Sequence, residues 1–284
     1  MTATASTTTF PRPVWLVTGA STGFGRAFAE HALARGFAVA ATARSAARLD
    51  DLVALAPDRV LALALDVDVP GAADAAVAAV LARFGRLDVA INNAGFGSVG
   101  AVEETSDAEL RAQMETNFFG AAAVIRAVLP QMRAQRSGAI VNVTSMGGQV
   151  SYPGFGSYCA SKFALEGLSE ALAGEVRPFG IKVLIVEPGA FRTAFAGAAL
   201  RHMPAMDAYE EVVGPTRAFA HGMDGTQAGD PRLAAEAVAA ALDAETTPLR
   251  LALGADAIDA IRGHAEAMLA DLAAWEAVGR ATAG

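Results

Sequence analysis

One cysteine, Cys159, in 284 residues leaves no partner for an internal disulfide, and suits a reducing compartment. The four histidines, His31, His202, His221 and His264, lie far apart in sequence, and none stands in metal-ligand spacing with Cys159 or a second histidine, so no metal site is expected. Positive charge is also in short supply. The formal net charge is −8, which excludes the basic surface of a nucleic-acid binder. No apolar run reaches transmembrane length. The longest uncharged stretch, Ser137 to Ser161, carries Asn142, Gln149, Pro153 and several serines and glycines, too many polar groups for lipid. The N-terminal "MTATASTTTF" has neither a basic start nor a long apolar run. It reads as a flexible tail over 1–12 rather than a signal peptide. A cytoplasmic protein without membrane attachment is expected.

Hydrophobic residues are abundant, at 53% of the chain, ample for a sizeable core. They fall into short β-rich runs alternating with longer alanine-rich helical stretches. Candidate strands are "VWLVT" from Val14, "FAVAATA" from Phe37, "RVLALALDV" ending near Asp66, "LDVAINNAG", "AIVNVTS", "IKVLIVEPG" and "PLRLALG". Helices are expected over 23–35, 46–55, 72–84 and 255–278. Ser106-Asp107-Ala108-Glu109 has capping-box spacing and should open a long helix to Arg133, with Pro130 perturbing its last turns. Asp230-Pro231 reads as an N-cap and N1 pair. Residues 191–229, with scattered Gly, Pro, Met and His, read as irregular. Strands apolar on both faces belong in a parallel sheet covered by helices. This alternation predicts a doubly wound α/β sheet in one domain over 13–284.

Three motifs bear chemistry. "TGASTGFG", Thr18 to Gly25, sits between the first strand and first helix. Its glycines let backbone approach a pyrophosphate, and the helix start supplies free N–H groups. The second strand ends in Ala43-Arg44, with no carboxylate before Asp50. Arginine there suits a ribose 2′-phosphate, so NADP(H) is favoured over NAD(H). In "SYCASK", Lys162 follows Tyr158 at i+4, the spacing of one helix face. A phenol of pKa about 10 is a poor base near neutrality, and a neighbouring ammonium would lower it. Ser145, at the end of the fifth strand, could bind the same oxygen. Taken alone, the Tyr–Lys pair reads better as part of an ordinary exposed helix with no function.

Taken in order, these motifs, "NNAG" (Asn92–Gly95) and "PGAFRT" (Pro188–Thr193) all fall at strand C-terminal ends, where ligands bind in open α/β sheets. The set resembles the short-chain dehydrogenase/reductase family over roughly Val14 to Thr193. That resemblance implies a three-layer Rossmann fold with a mostly parallel seven-stranded sheet. It implies Tyr158 as acid/base, Lys162 lowering its pKa and holding the nicotinamide ribose, Ser145 orienting the carbonyl, and Asn117 holding a water in a proton relay. Gly19, Ser21, Gly23, Phe24 and Gly25 would line the diphosphate. Asp66 and Val67 would meet the adenine, and Asn93, Ala94 and Gly95 the adenosine ribose. Pro188, Gly189 and Thr193 would fix the carboxamide, and Arg44 the 2′-phosphate. Thr22 stands where many NADP-using members carry a basic residue, which leaves that phosphate mainly to Arg44, helped by Ser21 or Ser45.

Met146, Gly147, Val150, Tyr152, Phe155, Phe191 and Phe96 suggest a largely apolar substrate site within or beside the loop region of about 190–229. The expected activity is interconversion of a hydrophobic ketone or aldehyde and its alcohol. The alternatives are a 3-oxoacyl-thioester reductase, for which Arg192 and Arg201 are scattered basic candidates, and a non-catalytic NADP sensor. By resemblance, a homodimer or homotetramer would pair through the helices carrying Asn117 and Tyr158.

Overall fold

A computed structural model describes residues 10–283 of the chain. Of the tail expected over 1–12, residues 1–9 lie outside the described residues. Phe10 is held: its N–H donates to the Phe84 carbonyl at 2.8 Å, and the two rings meet edge-on at 5.5 Å.

In chain order the elements are β1 Val14–Val17, α1 Gly23–Ala34, β2 Ala38–Ala43, α2 Asp50–Leu55 after a 3₁₀ turn at Ala46–Leu49, β3 Val60–Ala64, α3 Ala72–Phe84, β4 Val89–Asn92 and β5 Gly97–Val99. Then come α4 Asp107–Met114, a π-helical stretch Glu115–Gly120, α5 Ala121–Gln135, β6 Gly138–Val143, α6 Gly156–Val176, β7 Ile181–Pro188 and β8 Leu200–His202. The chain finishes with α7 Glu210–Gly222, α8 Pro231–Asp243, β9 Arg250–Leu253 and α9 Ala255–Arg280.

Seven strands form one sheet in the order β3-β2-β1-β4-β6-β7-β9, parallel at every pairing. Successive side chains of a strand point to opposite faces, and β1 shows the result. Val14 and Leu16 join the core under α3, α5 and α6, while Trp15 and Val17 join the core under α1 and α8. This is the three-layer doubly wound architecture expected of apolar strands between helices. The strand order reverses between β1 and β4, and that switch point opens a crevice at the strand C-terminal ends.

The structure corrects three expectations. Residues 191–229 are not irregular throughout. They contain β8, which pairs in parallel with β5 in a second two-stranded sheet, and the 13-residue α7. The Gly214-Pro215 pair argues for a break, but tertiary contacts override it. Val213 and Ala220 are buried, and the Arg217 guanidinium pairs with Glu104. The long helix opens as its cap predicts, with Ser106 Oγ accepting from the Glu109 N–H at 3.2 Å, but it widens into π-helix around Asn117. Pro130 sits inside α5, which runs a further turn to Gln135. At α8, Asp230 accepts from the Arg232 N–H at 2.9 Å, as its cap position predicts.

No helix among the described residues is long and apolar enough to cross a membrane. No group of three or more His, Cys, Asp and Glu among them could hold a metal.

Candidate active site

A cleft of about 670 Å³ runs along the switch point, from Arg44 and Asp66 at one end to Tyr158 and Phe219 at the other. Its floor is built from backbone. Gly19 and Gly23 take φ of +67° and +56°, a region closed to most side chains. Gly25 lies behind the cleft wall rather than on it. A Cβ there would collide with the Gly19 carbonyl and lie 2.6 Å from Asn93 Nδ2, so this glycine sets how tightly α1 packs on the turn. Thr18 Oγ1 accepts from the N–H groups of Asn93 and Ala94 at 2.9 and 3.0 Å, and Asn93 Nδ2 donates to the Thr18 and Gly19 carbonyls. The glycine turn and the "NNAG" loop are therefore one hydrogen-bonded unit. Thr193 closes over it: a Cβ on Gly23 would stand 3.1 Å from that side chain.

Ser21, Gly23, Phe24, Arg44, Asp66, Val67, Asn93, Ala94 and Gly95 all line the cleft, as do Pro188, Gly189 and Thr193. The Phe24 ring also packs on Phe191 and Phe28, at 5.0 and 6.2 Å. Arg44 is exposed and reaches no carboxylate among the described residues. Arg48, one turn on, lines the same end. Composition gave no reason to single it out; a turn that places residues four apart on one side was the available signal. Thr42 Oγ1, buried at this end, has no hydrogen-bond partner among the described residues.

At the other end the β6, β7 and α6 termini converge. Ser145 Oγ accepts from the Gly147 N–H at 3.0 Å and donates to the Pro188 carbonyl at 3.4 Å, and it shares the space over Gly147 with the Tyr158 ring. Lys162 Nζ lies 5.8 Å from the Tyr158 ring centroid, but its hydrogen bond runs to the Val143 carbonyl at 2.9 Å. Tyr158 keeps one edge open to the cleft. Burial pushes its phenol above the ordinary value of 10; the nearby Ser145 hydroxyl opposes that rise, and Cys159 adds to it. Burial also brings Lys162 down to about 8, against the attraction of Glu166. The lysine's charge is thus available near neutrality, and its hydrogen bond goes to the Val143 carbonyl rather than to the phenol. The i+4 spacing delivers proximity and leaves the rest to whatever fills the cleft.

Asn117 does not line the cleft. It is buried behind Gly95, with Oδ1 accepting from the Phe96 N–H at 3.0 Å and Nδ2 donating to the Phe96 carbonyl at 2.9 Å and to Ser161 Oγ at 3.0 Å. A Cβ on Gly95 would lie 3.0 Å from Asn117 Oδ1 and 3.7 Å from Lys162 Nζ. The π-helical turn supplies the local displacement that often marks functional positions.

Around Tyr158 the wall is aromatic. Phe195 and Phe155 stand 5.4 and 6.3 Å from its ring. Met146, Gly147, Tyr152, Phe155, Phe191 and Phe96 line the cleft and Val150 does not. Phe195, Phe219 and Met223, also in the lining, escaped sequence reading because they belong to the segment that looked irregular. Arg201 reaches the cleft, stacked 4.0 Å over Phe96 and bonded to Glu109 at 3.0 Å. Arg192 does not; it donates to the Gln227 and Ala228 carbonyls.

Residues 13–203 match the family described as short chain dehydrogenase. Oxidoreductase BOA17 of Botryotinia fuckeliana is 38% identical over 271 residues, covering 95% of this chain and 99% of that protein. A crystal structure of a short-chain dehydrogenase from Streptomyces avermitilis superposes with a TM-score of 0.90 at 55% identity, covering 95% of this chain and 99% of that one. The alcohol dehydrogenase of Thermococcus sibiricus, complexed with 5-hydroxy-NADP, superposes with a TM-score of 0.70 at 28% identity, covering 85% and 96%.

Proposed function

The chain belongs to the short-chain dehydrogenase family of oxidoreductases, and on that premise we propose that it is an NADP(H)-dependent enzyme interconverting a hydrophobic ketone or aldehyde and its alcohol. The observation that carries the proposal is the convergence of Ser145, Tyr158 and Lys162 at one end of a cleft whose other end is a glycine turn beside Arg44 and Arg48. The residues present fit a dinucleotide. The turn's positive-φ glycines leave room for a diphosphate, and the first turn of α1 carries no acidic residue to repel it. Asp66 stands exposed where an adenine would lie. Arg44 and Arg48 offer two guanidinium groups to a 2′-phosphate.

When bound, the nicotinamide supplies or accepts the hydride. Tyr158 exchanges the proton with the substrate oxygen, which the Ser145 hydroxyl orients. Lys162 holds positive charge beside the phenol and is in reach of a ribose, while Asn117 fixes the Phe96 backbone and Ser161 behind it. The aromatic wall of Phe155, Phe195 and Phe191 favours a bulky apolar group beside the carbonyl. An acyl-carrier substrate is less well supported, because Arg201, the arginine at this end, is already paired with Glu109. We further propose a cytoplasmic homodimer or homotetramer joined through α4–α5 and α6, which expose Phe119 and Phe163 respectively.

Tyr158→Phe tests the mechanism. NADPH oxidation across a panel of apolar ketones should fall by about 10³-fold, while NADPH binding by fluorescence titration stays within twofold. Full turnover by the variant would end this reading.

A further inference from the structure

Behind the candidate active site lies a buried polar cluster with no part in the chemistry above. Glu187, the last residue before Pro188 on β7, and Glu166, one turn after Lys162 on α6, are 2% and 4% exposed. Gln149 Nε2 donates to both carboxylates, at 3.1 Å to Glu187 and 3.2 Å to Glu166. Arg250 Nε on β9 also faces both, at 3.5 and 3.1 Å. Thr144, next to Ser145, donates its hydroxyl to Glu166 Oε1 at 2.6 Å. The two carboxyl groups are thus gathered around the same two donors, Gln149 Nε2 and Arg250 Nε.

The charges here do not balance. Arg250 is shared with Glu170, which it also reaches at 2.7 Å. The other cation facing the cluster, Lys162, gives its hydrogen bond to Val143. The β6 end and the turn after it contribute only Thr144 and Gln149. From α9, Asp256 accepts from the Ala190 N–H at 2.7 Å and adds negative charge farther along the same wall. Two buried carboxylates that share the same two donors cannot both ionise cheaply. We propose that Glu166 and Glu187 hold one proton between them, and that this shared proton pins together the wall that carries Ser145, Pro188 and Lys162.

The donor count assigns the charge. Glu166 receives Gln149 and the closer Arg250 contact, faces Lys162, and stands closer to the Thr144 hydroxyl, at 2.6 Å, than that hydroxyl's other acceptor, the Val186 carbonyl at 3.0 Å; it carries more of the charge. Glu187 has two donors, one of them long, and carries more of the shared proton. Burial and then the Glu166 charge push Glu187 up to about 7, and burial also raises Glu166. The proton belongs to the pair rather than to one site. Its loss above neutrality sets two negative charges side by side at the foot of Pro188 and Thr144. Both residues adjoin the cleft, so the pair acts on the reaction by positioning.

The sign of the stability effect follows. Unfolded, a glutamate releases its proton near 4.5; folded, Glu187 holds it to about 7. Between these values the unfolded chain binds fewer protons, so this group's contribution to stability falls as pH rises through the window and is constant above it.

The claim that the wall serves catalysis rests on the function proposed above; the proton does not, and its test needs no substrate. Thermal unfolding midpoints of the wild type and Glu187→Gln should be compared from about pH 4.5 to pH 8.5. Glutamine imitates the protonated acid, so the variant should lack the part of the decline that the wild type shows up to about pH 7. Parallel curves overturn the shared proton. Should Glu187→Gln fail to fold, the infrared carbonyl band of a protonated carboxylic acid in the wild type decides: present at about pH 6 and lost by about pH 8.5 supports the proposal, and absence at pH 6 ends it. Turnover, normalised to its value at about pH 6, should show an apparent pKa near 7 in the wild type that Glu187→Gln lacks. A profile unmoved by the substitution, with the stability curves separated, would keep the proton and remove its link to the site.

Discussion

The two ends of the cleft are built on different principles. The dinucleotide end is shaped by backbone: positive-φ glycines, a helix start and a threonine that bonds two successive amides. The substrate end is shaped by side chains held on short or interrupted elements. There α7 is fastened through Arg217, whose guanidinium pairs with Glu104 and also donates to the Met203 carbonyl at 2.9 Å. Glu104 in turn accepts from the Met206 and Ala101 N–H groups, at 2.7 and 2.5 Å. A backbone site tolerates no change in shape but is indifferent to most neighbours. A side-chain site is retuned by single substitutions, so substrate choice can vary at this end while the cofactor end stays as it is.

The largest expected effect attacks the backbone end. Gly25→Ala places a methyl group against the Gly19 carbonyl and 2.6 Å from Asn93 Nδ2, and neither is free to move. The turn must deform, and overpacking of this kind costs about 1–3 kcal/mol. NADPH affinity should fall by about 100-fold. Substrate preference, measured at saturating cofactor as the ratio of kcat/KM for two ketones, should not change. Were the affinity unaltered, the turn would not be the rigid unit described.

Glu104→Ala attacks the other end with an effect of similar size on stability. Removing one partner of a buried pair strands the other charge, at a cost of about 3 kcal/mol. Arg217 and the Ala101 and Met206 amides would lose their acceptor. The unfolding midpoint should drop by several degrees and KM for the ketone rise, with NADPH binding nearly intact. A variant that loses cofactor and substrate affinity alike would show that the two ends are coupled, and the contrast drawn above would fail.

Arg44→Ala should be milder. One charge-assisted contact with a phosphate is worth about 1.5–3 kcal/mol, so NADPH affinity should fall at least tenfold while NADH affinity stays level. With Arg48 retained at the same end, the loss should be partial, and the double variant should lose more than either single one. Equal losses for both nucleotides would return the cofactor choice to NAD(H).

How much of this was legible in the sequence follows the same division. The seven strands, the glycine turn, Ser145, Tyr158 and Lys162 could be read because short-range rules fix them: apolar runs, glycine geometry, i+4 spacing. What was missed depends on partners remote in sequence. Nothing near Gly214-Pro215 announces a helix, because the residues that fasten it, Glu104 and Pro153, lie far upstream; the Pro153 carbonyl accepts from Thr216 Oγ1 at 2.9 Å. Phe195, Phe219 and Met223 were invisible as lining for the same reason. Asn117 could be named by resemblance, but its place behind Gly95 and the π-helical turn around it required the fold. Glu187 and Arg250 read as ordinary strand residues until parallel pairing of β7 and β9 brought them together.

The smallest effect is expected where the chain touches itself least. From Glu266 onward every described residue of α9 is exposed, including Met268, Leu272 and Trp275. This face continues the side on which Ala257 is buried and Ile261 half-buried. Leu272→Lys with Trp275→Lys removes no intrachain contact of consequence, and surface changes of this kind lie within about 0.5 kcal/mol. The unfolding midpoint at low protein concentration and kcat for the ketone should both match the wild type. A midpoint that falls only at high concentration, together with a smaller sedimentation coefficient, would mean that another copy covers this face in solution. The outer half of α9 would then join α6 among the surfaces proposed above for assembly, rather than standing as the least constrained part of the fold.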